Sequence, residues 1–129
     1  FGPPGPGGGD ERTWGMLSHL GALLVNFVTG ALGFLVPLIV LMTKGNSSPF
    51  VRRHANESLN FNLTALLVGF VGGIVLVLLT VVTLGLGMIV AIPVALAYFA
   101  FVVVFQVIAT IKANNGEDYS YPLTIRFVR

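Results

Sequence analysis

The chain has 129 residues, of which 55 % are apolar and 9 % charged, with a mean hydropathy of +0.91 and a formal net charge of +2. A soluble domain carries about 25 % charged residues, which excludes an ordinary water-soluble globule. The sequence pI is near 9.4, yet no basic stripe interleaved with aromatics marks a nucleic-acid interface. The absence of cysteine excludes disulfides, thiolate metal sites and thiol catalysis.

Residues 1–12 begin with a run of Gly and Pro that cannot build a core, and they are expected to form a flexible linker. Residues 13–116 are the expected transmembrane helical domain. Neither Asp, Glu, Lys nor Arg occurs between Thr13 and Thr43, or between Ser58 and Ile111. A hydrocarbon core of ~30 Å takes about 20 helical residues to cross, so the second run holds two crossings and a turn. The first run is long for one span and short for two.

A first helix is predicted over residues 14–28, with Thr13 as N-cap and Trp14 at headgroup level. Thr29, Gly30 and Gly33 then predict a break, followed by a second helical segment over 31–43 in which Pro37 is expected to bend the chain. The alternative is one long, strongly tilted span.

Ser48-Pro49 reads as an N-cap followed by proline at the first helical position. It opens a helix over 49–84 that begins as a basic interfacial segment and becomes a span near Phe61. Ala65, Gly69 and Gly73 recur at four-residue spacing, which predicts a helix-packing face. A last span covers 88–114, ending with Lys112 in its final turn and Asn115-Gly116 as a C-cap. Residues 117–129 are expected to be an extended cytoplasmic tail. Tyr121, Leu123, Ile125 and Phe127 alternate along it, which predicts one apolar side. The fold class is thus an all-α integral membrane protein, a small bundle of four helical segments.

Lys and Arg set membrane orientation. Lys44, Arg52 and Arg53 lie in the central loop and Lys112, Arg126 and Arg129 near the C-terminus, while the turn at 83–87 has none. Loop 44–57 and the C-terminus are therefore expected in the cytoplasm of a bacterium, with the chain multi-pass in its inner membrane. Lys44, Arg52 and Arg53 either serve only this orientation or also bind headgroups, including anionic ones, at on the order of 1 kcal/mol per basic residue.

His19, Asn26, Asn60, Asn62 and Gln106 are polar groups in apolar runs. Such groups need partners where water is absent, so interhelical hydrogen bonding is the leading reading and a polar path through the bundle the alternative. Asn60, Asn62 and Gln106 are candidate partners of His19. His54 and Glu57, three residues apart, are expected to form a surface pair. No catalytic or cofactor motif occurs, and a non-enzymatic protein without catalytic residues, metal or cofactor is expected. Small-residue faces and interior amides point to an accessory or scaffold subunit whose partners are lipids and other membrane proteins.

The segments WGMLSHLGALL at 14–24, PLIVLMTKGNSSPFVRRHANESLNFNLT at 37–64 and IATIKANNGEDYSYPLTIRF at 108–127 resemble a family of small bacterial membrane proteins. That family is similar to the Tic-twenty-like import component of the chloroplast inner envelope. The resemblance implies a four-helix membrane bundle with both termini on one side, splitting of residues 14–43 into two helices, and, as an alternative function, a channel or protein-translocation component.

Overall fold

The computed structural model describes residues 9–129. Residues 1–8, and with them most of the expected linker, lie outside the described residues. The described chain is helical throughout its ordered elements: α1 at Gly9–Thr29, a short 3-10 turn at Leu32–Phe34, α2 at Leu35–Lys44, α3 at Pro49–Val82 and α4 at Met88–Asn114. The all-helical fold class and the break in the first apolar run are both found.

Helix α1 starts at Gly9 rather than at Trp14, with Asp10 and Glu11 in its first turn, where carboxylates favour a helix N-terminus. Thr13 is therefore not a cap; its hydroxyl donates to the Gly9 carbonyl at 3.2 Å. At the other end Gly30 takes φ +87°, a left-handed conformation natural to glycine. The Thr29 hydroxyl accepts the Leu32 N–H at 3.1 Å, which holds the tight turn into α2. Pro37 is the third residue of α2, where its missing N–H is one of those a helix leaves unpaired anyway.

Ser48 caps α3 as its sequence predicts, its hydroxyl accepting the Val51 N–H at 3.3 Å. Helix α3 has 34 residues and α4 has 27, about 51 and 40 Å at the usual rise. Both are long and apolar enough to cross a membrane. The chain reverses between them through Leu84 at φ +56° and Gly85 at φ +95°. Helix α4 stops where Gly116 turns left-handed at φ +79°. There the Gly116 N–H bonds to the Ala113 carbonyl and the Glu117 N–H to that of Lys112, the paired bonds of a Schellman stop.

Helices α1 and α3 run in the same direction: Gly15 lies by Phe50 and His54, Ser18 by Ser58, and Asn26 by Asn62. The α1–α2 hairpin therefore covers only the near half of the long pair. One core cluster there joins Val40, Phe50, Val51 and Ala55, with Trp14 and Leu41 against it. A second joins Phe61, Ala109 and Tyr121. Beyond Leu66 on α3 and before Phe99 on α4 the surface is largely Leu, Val, Ile and Phe open to the surroundings. In water that surface would be unfavourable at about 25 cal/mol per Å²; in lipid it is the matching solvent.

The tail does not alternate. Tyr121 is 2 % exposed but Leu123 is 86 % exposed and Ile125 and Phe127 about half. Leu123 takes φ +53°, and a left-handed residue breaks the two-residue period of an extended strip. The tail instead runs along α3 to Ile125 and doubles back.

Candidate functional site

Helix α3 carries Arg53, Glu57, Asn60 and Thr64 at spacings of four, three and four, which puts them on one helix face. All four hold the tail. The Arg53 guanidinium meets Asp118 at 2.8 Å. Glu57 accepts the Tyr121 N–H at 2.9 Å and the Arg126 guanidinium at 2.8 Å. Thr64 accepts the Ile125 N–H at 3.0 Å. Asn60 bonds twice to Val128, accepting its N–H and donating to its carbonyl, both at 2.7 Å. Irregular backbone thereby satisfies its polar groups on side chains instead of a sheet.

Under this strap lies a chain of buried rings. Tyr121 Oη and His19 Nδ1 are 2.6 Å apart, His19 Nε2 and His54 Nδ1 are 2.9 Å apart, and His54 Nε2 is 2.7 Å from the Glu117 carbonyl oxygen. A carbonyl only accepts, so His54 donates from Nε2 and, when neutral, accepts at Nδ1. His19 then donates from Nε2 and accepts at Nδ1, and the donor it faces is the Tyr121 hydroxyl. Every proton is assigned, and both imidazoles are neutral. Phe50 packs on the His54 ring at 4.6 Å between centroids, and Phe61 stacks on Tyr121 at 4.0 Å. Burial, then Tyr119 and Glu57, push the Tyr121 phenol well above its ordinary range.

His19 thus finds His54 and Tyr121, not Asn60, Asn62 or Gln106. His54 is buried and forms no surface pair with Glu57, whose carboxylate is turned to Tyr121 and Arg126. Positions 54 and 57 are only about 60° apart around α3, so partners rather than helix rotation separate them: the His54 ring is engaged by His19 and the Glu117 carbonyl, and the Glu57 carboxylate by the Tyr121 N–H and Arg126.

The amides gather one level deeper. Asn62 Oδ1 accepts from Asn26 Nδ2 at 2.7 Å and from Gln106 Nε2 at 2.9 Å, and Asn62 Nδ2 donates to the Ser58 carbonyl at 2.8 Å. Asn26 Oδ1 accepts the Gly33 N–H at 2.8 Å, tying the hairpin tip to the cluster. Ser58 donates to the Ser18 carbonyl. Next to these amides is a cavity of about 380 Å³ whose walls are otherwise apolar. The small residues of α3 divide: the Ala65 carbonyl accepts the Tyr98 hydroxyl, Gly69 lies under the same hydroxyl, and Gly73 faces open space.

Lys44 sits over the Trp14 ring at 5.1 Å, Arg52 is exposed and Arg53 is committed to Asp118. Among the described residues no group of three or more His, Asp or Glu is placed to hold a metal ion. The two imidazoles are fully occupied by each other and their neighbours. Ser58 and Tyr98 are participants that the sequence did not single out, and Tyr121 was legible there only as part of an alternating apolar side, not as a partner of His19. The signal that was present is the polar stripe 53–57–60–64, legible once α3 is drawn as a wheel.

Fold and site together define a small all-helical membrane protein whose charged and hydrogen-bonding groups are gathered at one end of a long apolar helix pair. Over residues 10–128 the chain matches the MamF/MmsF family, the magnetosome magnetite crystal formation protein family, and it belongs to that family. No curated protein and no solved structure matches it. The family match overturns the resemblance to the Tic-twenty-like import component, and the translocation role that rested on it falls with it. The three segments that carried that resemblance hold the Ser-Pro helix start, the ring residues and the helix stop. Such features specify a small helical membrane bundle more than any one biological role.

Proposed function

We propose that this chain is a non-enzymatic, multi-pass accessory subunit of a magnetosome membrane that influences magnetite crystal growth through partner proteins rather than by binding the mineral. Membership of the family supports the setting. The observation that carries the accessory role is the placement of charge. Asp10, Glu11, Glu57, Glu117 and Asp118 are all the carboxylate side chains of the chain, and they belong to the end where α1 and α3 begin and α4 stops. Glu57 and Asp118 are neutralised by arginines there. The opposite turn at 83–87 has no charged residue. By the bias of Lys and Arg, the charged end faces the cytoplasm, away from a crystal held inside the compartment. Its partners are lipids, with Arg52 and Lys44 placed to meet anionic headgroups, and membrane proteins that carry the mineral chemistry.

The test is removal of the chain from a magnetite-forming bacterium, with crystals imaged by electron microscopy and membrane partners captured by crosslinking. Crystals altered in size or shape, restored by the intact chain, together with a captured protein partner, are the expected result. Unaltered crystals would sink the setting, and direct binding of iron mineral by the purified chain would sink the accessory role.

A further inference from the structure

The cavity beside the amide cluster has in its lining Gln106, whose Oε1 is buried without a hydrogen-bond partner; Asn56 Oδ1, another such atom, belongs to a separate cleft beside the tail. The amide-side cavity lies between α1, α3 and α4, with Phe27, Leu66 and Phe99 at its exposed apolar rim and Asn26, Asn62 and Gln106 on its polar wall. Its volume of about 380 Å³ falls in the range of small-molecule sites, roughly 300–1,000 Å³.

The wall leaves one valence open. Asn62 Oδ1 already accepts two hydrogen bonds and Asn62 Nδ2 is used on Ser58. Gln106 is fully buried, gives its Nε2 to Asn62, and has no partner for Oε1. The opposite amide orientation does not help, because it would set the Gln106 oxygen against the Asn62 oxygen. An acceptor left unpaired in an apolar medium is costly, so the site calls for a donor. Neither Asp, Glu, Lys nor Arg lines the cavity, which disfavours a phosphate, a carboxylate or an ammonium that would enter without a counter-charge.

We infer that this cavity binds a neutral lipid bearing a free hydroxyl, the hydroxyl donating to Gln106 Oε1 and the hydrocarbon leaving past Leu66 and Phe99 into the surrounding lipid. The occupant is an amphiphile because the polar demand is a single acceptor, while the rest of the wall is Leu, Phe, Val, Ala, Gly30 and Tyr98, whose hydroxyl is already given to the Ala65 carbonyl. This site is separate from the basic residues at the polar end, and it stands whether or not the chain acts on crystal growth.

The experiment uses the full chain in phosphatidylcholine nanodiscs, a monoacylglycerol with a photoreactive diazirine in its acyl chain, and the same probe with both hydroxyls acetylated. Labelling is expected on the peptides holding residues 23–31 and 98–106, weaker by about tenfold for the acetylated probe, the ratio that one neutral hydrogen bond carries. Gln106→Leu should weaken labelling by the monoacylglycerol by a similar factor. Val103→Trp, which fills the volume and leaves Gln106 in place, should abolish it with helicity retained. Equal labelling by both probes, labelling spread along the lipid-facing sides of α3 and α4, or labelling unaffected by Val103→Trp would each overturn the assignment. So would no labelling at all, which would leave water only at Gln106.

Discussion

Tyr121→Phe isolates the first link of the ring chain. The substitution keeps the aromatic stack on Phe61, at 4.0 Å and 16° between planes, and removes only the hydroxyl that donates to His19 Nδ1 across 2.6 Å. His19 is fully buried, so no bulk water replaces the lost donor. Leaving such an acceptor unsatisfied costs about 1–3 kcal/mol. The reverse single change, His19→Leu, strands both the Tyr121 hydroxyl and His54 Nδ1 and should cost more. The double variant should cost less than the sum of the two, because residues in one hydrogen-bond chain are coupled. Reversible unfolding in mixed micelles, followed by circular dichroism, reads all three. A loss below about 0.3 kcal/mol for Tyr121→Phe, or strict additivity in the double variant, would show that the hydrogen-bond chain does not hold the tail.

Three more outcomes follow from the same geometry. Both imidazoles are held neutral: a proton added to His54 Nδ1 would face the His19 Nε2–H, and one added to His19 would be a fully buried charge; unfolding then takes up protons, and stability should fall as pH drops through the ordinary histidine range near ~6.5. Tyr121 has its phenol raised by burial, so its contribution is complete below the unfolded value of ~10 and lost as pH rises beyond it; a stability plateau between these limits, read by unfolding at stepped pH, is expected. Glu57→Gln removes the half-buried pair with Arg126 while leaving an acceptor for the Tyr121 N–H, at a cost on the order of 1 kcal/mol, and trypsin should cut after Arg126 faster than in the parent chain. Gly33→Val places side-chain atoms against the Ala22 carbonyl and the Asn26 amide, so it should part Asn26 from Asn62 and destabilise by about 1–3 kcal/mol, whereas Gly30→Ala, with open space around it and φ +87°, should cost only about 1 kcal/mol.

What the sequence disclosed is what short stretches encode. Ser48-Pro49, Gly30 with Gly33, and Asn115-Gly116 each fix backbone geometry within a few residues, and each marks the boundary it predicts. Charge-free runs likewise disclosed the helical membrane class, since composition over twenty residues decides the preferred solvent. The ring chain was not legible. His19, His54 and Tyr121 are 35 and 102 residues apart in their pairings, and their meeting depends on the relative rotation of α1 and α3 and on the path of the tail. That path in turn depends on Leu123, whose left-handed backbone is not signalled by a leucine. Asn26, Asn62 and Gln106 were picked out as polar residues without water, but which of them share a cluster follows only from helix register.

The accessory role rests on which side of the membrane the carboxylates face. A chain without native cysteine allows single-cysteine labelling in intact membranes with an impermeant maleimide. Ser47→Cys and Ser120→Cys, both exposed at the charged end, should react only from the cytoplasmic side, and Leu86→Cys, exposed in the far turn, only from the opposite side. The reverse pattern would place Glu57, Glu117 and Asp118 toward the crystal and contradict the account.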